Sequence, residues 1–257
     1  MNSKNITLIL ILLLMTGMLL TISNESRAGL WAGVQAGPNF VTDTTVKLDA
    51  KYGYGLKEFR TNTSLLGGII IGYDFVKEGY LGYKWPNWMK YFSMAIDLTY
   101  NDFSQPPQTA RLQSPKVFSR GSPPTTYINI NNSAHGYMLQ LSLFFIARYG
   151  FFPSPELPFG RLIPYVGGGP GLFFSIVETS RSENYAKSSD SIEPGLFAEA
   201  GVRYMLHPKV SLDAALRYRY TFPSYDRAYY TDIGFFRGVG RIVVDQFNAL
   251  FRVCYHF

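Results

Sequence analysis

"EPGLFAEAGVRYMLHPKVSLDAALRYRYTF", Glu193 to Phe222, contains two stretches that alternate in phase on either side of a short break. In the first, Leu196, Ala198, Ala200, Val202 and Tyr204 fall opposite Glu193, Gly195, Glu199, Gly201 and Arg203. After His207-Pro208, Val210, Leu212, Ala214, Leu216, Tyr218, Tyr220 and Phe222 fall opposite Ser211, Asp213, Arg217, Arg219 and Thr221. Successive side chains of a strand point to opposite faces, so each stretch reads as a strand with one apolar and one polar face. A two-residue connection makes the pair antiparallel neighbours.

The same period recurs on both sides. Upstream, Ala32, Val34, Ala36 and Phe40 oppose Gly33, Gln35, Gly37 and Asn39, and Leu65, Ile69, Ile71, Tyr73 and Phe75 oppose Ser64, Gly68, Gly72 and Asp74. Phe92, Met94, Ile96, Leu98 and Tyr100 alternate with Ser93, Ala95, Asp97, Thr99 and Asn101. Tyr137, Leu139, Leu141, Leu143 and Phe145 lie opposite Gln140, Ser142 and Arg148, and Val166, Leu172, Phe174 and Ile176 opposite Gly167, Gly169, Gly171 and Ser175. An eighth segment, expected from about Val243, ends in "FRVCYHF", with Phe251, Val253, Tyr255 and Phe257 on one face and Arg252, Cys254 and His256 on the other. Each segment is long enough to cross a bilayer as a tilted strand, which takes about 9–11 residues.

Eight amphipathic strands in sequence predict an antiparallel up-and-down sheet. No helical pattern is available to cover its apolar face in water. Closing the sheet pairs both edges and turns the apolar face to lipid, which is how strands satisfy every backbone group inside a membrane. The fold class expected is therefore all-β, a transmembrane eight-stranded barrel. An even strand number returns both ends of the chain to one side. Connection lengths agree: the segments near Val41 to Asn62, Ser104 to Ser133 and Pro223 to Ile242 are long, and those on the other side are shorter.

The beginning of the chain fits export. "MNSKN" carries one lysine, "ITLILILLLMTGMLLTI" is uncharged, and Ser26 and Ala28 are small residues before Gly29. This is the order of a cleavable signal peptide, expected over residues 1–28, with the barrel domain over residues 29–257. An uncleaved apolar anchor is the alternative reading of the same run. The single cysteine, Cys254, allows no internal disulfide. The formal charge of +6 is spread singly, without the basic cluster that nucleic-acid binding favours. It fits contact with anionic lipid head groups at least as well. The 19 tyrosines and 20 phenylalanines supply the aromatics that membrane strands place at their interfaces.

The residues "RLIPYVGGGPGLFF", "EPGLFAEAGVRYMLHPKVSLDAALRYRY" and the terminal "FRVCYHF" resemble the small eight-stranded outer-membrane barrels of the OmpA/OmpX kind. The likeness is strongest over roughly the last hundred residues and rests on pattern alone before them. It implies location in the outer membrane of a Gram-negative bacterium, and that the outer-membrane assembly machinery reads the terminal aromatic, here Phe257.

Function is less specified, because many activities sit on one barrel. An eight-stranded interior is just wide enough to be filled by side chains. The inward charges expected are Asp97, Arg148, Glu199, Arg203, Asp213, Arg217, Arg219 and Arg252, and charges of both signs in low dielectric must pair. A barrel with a structural or surface-interaction role, its lumen plugged by paired charges, is the first expectation, and a narrow, weakly anion-preferring conduit the second. A lipid-modifying enzyme is the third, although only His135 with Ser133 stands where outer-surface catalysis would sit and no nucleophile or metal-ligand motif accompanies them. "VGGGPG" lacks the GK[ST] ending of a phosphate loop, and its glycines more simply make room for facing side chains. No catalytic residue, metal ligand or cofactor is therefore expected. The long connections, rich in Ser, Thr, Pro and Asn or in Tyr, Phe and Arg, are the place for an extracellular ligand.

If the terminal aromatic is read during assembly, deleting Phe257 lowers the folded, membrane-inserted fraction more than any change in a long connection. Comparing that fraction between truncated and loop-altered chains checks this, and equal loss would contradict it.

Overall fold

The computed structural model describes residues 29–42, 44–47, 55–75, 84–113, 126–180, 188–231 and 234–257. The expected signal peptide, residues 1–28, lies outside them. The described residues form thirteen strands in one antiparallel sheet. In chain order these are β1 Leu30–Val41, β2 Thr44–Lys47, β3 Gly55–Phe59, β4 Ser64–Asp74, β5 Phe92–Gln105, β6 Gln108–Gln113, β7 Thr126–Ile130, β8 Ser133–Arg148, β9 Leu162–Ser180, β10 Ser188–His207, β11 Val210–Thr221, β12 Ser224–Thr231 and β13 Gly234–His256. A 3-10 turn at Asn87–Tyr91 leads into β5.

Eight of these strands close a ring in the order β1-β4-β5-β8-β9-β10-β11-β13, and β13 pairs back onto β1. They contain the eight segments legible in the alternation. The closing pair runs from Trp31 opposite His256 to Val41 opposite Gln246, so "FRVCYHF" does complete the barrel against the first strand. The backbone N–H of Phe257 donates to the carbonyl of Leu30 at 3.0 Å, which fixes both ends of the barrel at one rim, the terminal end. The tight connection sits one residue later than expected: β10 runs through His207, and Pro208-Lys209 form the turn before Val210. A register shift between Met205 and His207 makes the difference, because the extra residue of a bulge lengthens β10.

The long connections contain more structure than their composition suggested. β2, β3, β6, β7, β12 and the first part of β13 form a second, smaller ring beyond the barrel, at the end away from the termini. β13 pairs with β12 on one side and β2 on the other, β2 with β3, β3 with β6, and β6 with β7. A single residue pair, Thr231 with Ile130, joins β12 to β7. The expected start of the eighth segment near Val243 is thus only where β13 enters the barrel; the strand begins at Gly234 and has 23 residues. That is about twice what a tilted membrane strand needs, so its first half stands clear of the span.

The apolar faces point outward around the barrel. Val34, Ile96, Phe145, Val166, Leu216 and Phe251 are each more than half exposed, whereas Asp97, Gln140, Ser211 and Asn248, on the other phase, are buried. Aromatic pairs cluster at the terminal rim, where Tyr255 meets Phe257 at 5.2 Å, Trp88 meets Phe92 at 5.7 Å and Tyr149 meets Phe151 at 5.0 Å. Further along, Tyr100 meets Tyr137 and Tyr218 meets Phe247. This is the two-girdle arrangement of a strand-built membrane span.

Inside, glycine makes room for large groups. A Cβ on Gly72 would fall into the Trp31 indole, and one on Gly167, the first glycine of "VGGGPG", would meet the Phe144 ring. Trp31, Phe144, Tyr165 and Phe197 can therefore fill the lumen alongside arginine.

An outward apolar face predicts that Leu216→Arg, near the middle of the span, costs about 2–4 kcal/mol of folding free energy in bilayers. Unfolding titrations in lipid vesicles check this, and a cost near zero would place that face elsewhere. The closed barrel is also expected to migrate differently on gels with and without boiling; unchanged mobility would contradict closure.

Candidate functional site

Alternation drives every second side chain of eight strands into one narrow interior. All eight inward charges expected from sequence are there, each less than a tenth exposed. Asp74, on the expected polar face of β4, joins them. Four carboxylates and five arginines result among the described residues, and they separate into layers.

The layer nearest the termini centres on Asp74 and Asp213. Asp74 accepts hydrogen bonds from Trp31 Nε1 at 2.9 Å, Ser93 Oγ at 2.7 Å and Arg148 Nη1 at 2.6 Å. Arg203 grips Asp213 through Nε and Nη2, both at 3.1 Å, and its guanidinium lies 4.3 Å from the Trp31 ring centre. Leu157, Ile163 and Met205, with Phe159 against them, pack beside this end.

The middle layer is a closed circuit across five strands. Arg217 of β11 donates to both Asp97 oxygens of β5, at 3.0 and 2.8 Å, and through Nε to Glu199 of β10 at 2.7 Å. Arg252 of β13 donates to both Glu199 oxygens at 2.6 and 2.7 Å, and through Nε to Gln35 of β1 at 2.7 Å. Gln35 Nε2 returns to Asp97 at 2.7 Å. Tyr165 Oη of β9 donates to Glu199 and accepts from Arg252. Bidentate, charge-assisted bonds are the strongest available, and here they satisfy both ions of each pair. Phe144 and Phe197, packed at 5.1 Å, fill the remaining width.

Above it lies Arg219, 1% exposed, with neutral partners only: Gln140 Oε1 at 3.0 Å, Asn101 Oδ1 at 2.9 Å and Asn39 Oδ1 at 3.1 Å. Further toward the second ring, Tyr225 of β12 is 2% exposed and donates from Oη to Ser175 Oγ at 2.6 Å.

The histidines do not assemble a nucleophile. Ser133 and His135 share the start of β8, but no hydrogen bond between them is found among the described residues. The serine–histidine contact that does form is His256 Nε2 with Ser211 Oγ at 3.0 Å. Ser211 is fully buried and its hydroxyl donates to Asp213, so it is neither reachable nor free to attack. Among the described residues, no group of three or more His, Cys, Asp or Glu is placed to hold a metal.

Sequence alternation located the inward charges but not their partners. Trp31 and Tyr165 are large side chains on the inward phase, and the small residues facing them, Gly72 and Gly201, were the available signal.

Because Glu199 neutralises two arginines, Glu199→Gln is expected to cost about 3–5 kcal/mol. Urea unfolding in lipid checks the value; a change below about 0.5 kcal/mol, typical of an uncoupled surface site, would contradict the circuit.

No curated protein matches the chain. Solved structures with some similarity include Neisserial surface protein A, 14% identical, covering 91% of this chain and all of that chain with a TM-score of 0.42. OprG from Pseudomonas aeruginosa is 14% identical, covers 90% of this chain and 98% of that chain, and has a TM-score of 0.46. The protease OmpT from Escherichia coli is 11% identical, covers 92% of this chain and 99% of that chain, and has a TM-score of 0.38. A family model described as the outer membrane protein beta-barrel domain matches residues 9–240, and the chain belongs to that family.

Proposed function

We propose that this outer-membrane barrel is a non-catalytic scaffold that presents a surface-interaction module outside the cell. The observation that carries the reading is the pairing of a filled lumen with a built distal end. Ion pairs and amides occupy the barrel interior, while five further strands and half of β13 are devoted to a second ring beyond it. Backbone-paired strands hold a loop surface in place, and a preorganised surface loses less freedom on binding a partner. Export by the residue 1–28 leader, insertion through Phe257 and the assembly machinery, and contact with lipid and lipopolysaccharide belong to the same proposal.

A small conduit is the second reading, favoured by the excess of one arginine over carboxylates in the described lumen. The circuit of Asp97, Arg217, Glu199 and Arg252 would have to open for ions to pass.

Replacing β6 and β7, Gln108 to Ile130, by a short turn is expected to abolish attachment of expressing cells to host cells or matrix while the barrel still inserts. Attachment equal to that of the intact protein would remove the surface role of this hairpin. In planar bilayers the wild-type protein is expected to be silent; steady anion-selective steps would favour the conduit.

A further inference from the structure

The lumenal charges do not balance, and the imbalance falls on one residue. Arg148 pairs with Asp74, Arg203 with Asp213, and Arg217 and Arg252 share Asp97 and Glu199. Arg219 is the remaining described lumenal cation, and its partners are three neutral amide oxygens. Its Nε–H has no partner. A buried, uncompensated charge in a low-dielectric interior costs several kcal/mol.

Apart from Arg148 Nε at the terminal rim, the lumenal polar atoms left without partners among the described residues belong to strands that surround Arg219. Thr221 is the next inward residue on the strand that carries Arg219, and its Oγ1 is unpartnered. Gln246 is directly opposite Arg219 in the β11–β13 pairing, with Oε1 unpartnered and Nε2 making only a 3.9 Å contact to Met138 Sδ. Thr99, whose Oγ1 is also unpartnered, is paired across β5–β8 with Gln140, a ligand of Arg219. Asn248 Oδ1 completes the group. Three strands, β5, β11 and β13, thus direct unsatisfied groups into the lumen around one unneutralised cation. Native interiors rarely leave buried polar atoms unpaired without a water or an ion.

We propose that the lumen beside Arg219 is a binding site for one small monovalent anion of chloride size. Arg219 Nε–H and the hydroxyls of Thr99 and Thr221 donate to it. Gln246 turns its amide so that NH2 faces the ion, giving up only the weak thioether contact. Water joins the ion to Asn248 Oδ1. Binding neutralises the lumen, and Tyr225 hydrogen-bonded to Ser175 closes it off on the side of the second ring. The site is independent of what the outer ring binds and of whether the barrel conducts.

Refolding the full chain from urea into detergent in sodium bromide, then crystallising it, allows the anion to enter during folding and be located by bromine anomalous scattering. A peak within hydrogen-bonding distance of Arg219 Nε is expected, absent in Arg219→Met. Thr221→Val, which keeps the cation, is expected to lower bromide occupancy several-fold at sub-saturating concentration, and guards against failure of the first variant to fold. No peak beside Arg219 in the wild type, water density alone, or an occupancy unchanged in Thr221→Val would overturn the proposal.

Discussion

A charge placed inside a narrow barrel in a membrane has little water to solvate it, and every feature of this interior follows from that constraint. Five arginines and four carboxylates occupy a space that side chains must fill. An unpaired ion there costs more than most single contacts return, so position in the lumen is tolerated only with a partner on another strand. Arg217 reaches from β11 to Asp97 on β5, across the barrel, and Arg252 joins β13 to β10 through Glu199. These cross-links tie non-adjacent strands to one another, which backbone pairing alone cannot do. A slip of one residue in any of these strands would turn its charges to lipid, so the network also holds the register.

The outward face supplies the membrane fit and the inward face supplies the specificity of closure. Lipid contacts of Val34, Ile96, Leu216 and Phe251 would be served by almost any apolar residue at those positions. The circuit through Gln35, Asp97, Arg217, Glu199 and Arg252 depends on identity and length at each site, because two of its arginines each bind bidentately and through Nε as well. Arg219 is the exception that the same constraint makes conspicuous, held by amides with no carboxylate to spare.

Much of this was legible in the sequence because alternation is a direct record of which side of a strand faces lipid. The phase of Asp97, Glu199 and Arg217 could be read from their apolar neighbours, and all three are inward. Partner choice was not legible, since it depends on strands far apart in sequence: Asp74 and Arg148, or Asn39 and Arg219, meet only when the sheet curls shut. The second ring was hidden for another reason. β2, β3, β6 and β7 have four to six residues each, too short to show a period, and they lie in segments whose Ser, Thr and Pro content reads as loop. Alternation alone puts the turn after β10 one residue early, because a bulge leaves no mark in an alternation count.

The central claim is that paired side chains seal the lumen against bulk solvent, and the single cysteine of the chain reports on it. Cys254 faces inward on β13, 1% exposed, opposite Ser211 and one inward step from Arg252 toward the terminal rim. A small charged thiosulfonate reagent applied to the folded barrel in lipid nanodiscs should leave Cys254 unmodified over hours, and should modify it fully once the protein is unfolded in urea. Labelling of the folded protein within minutes would contradict the account.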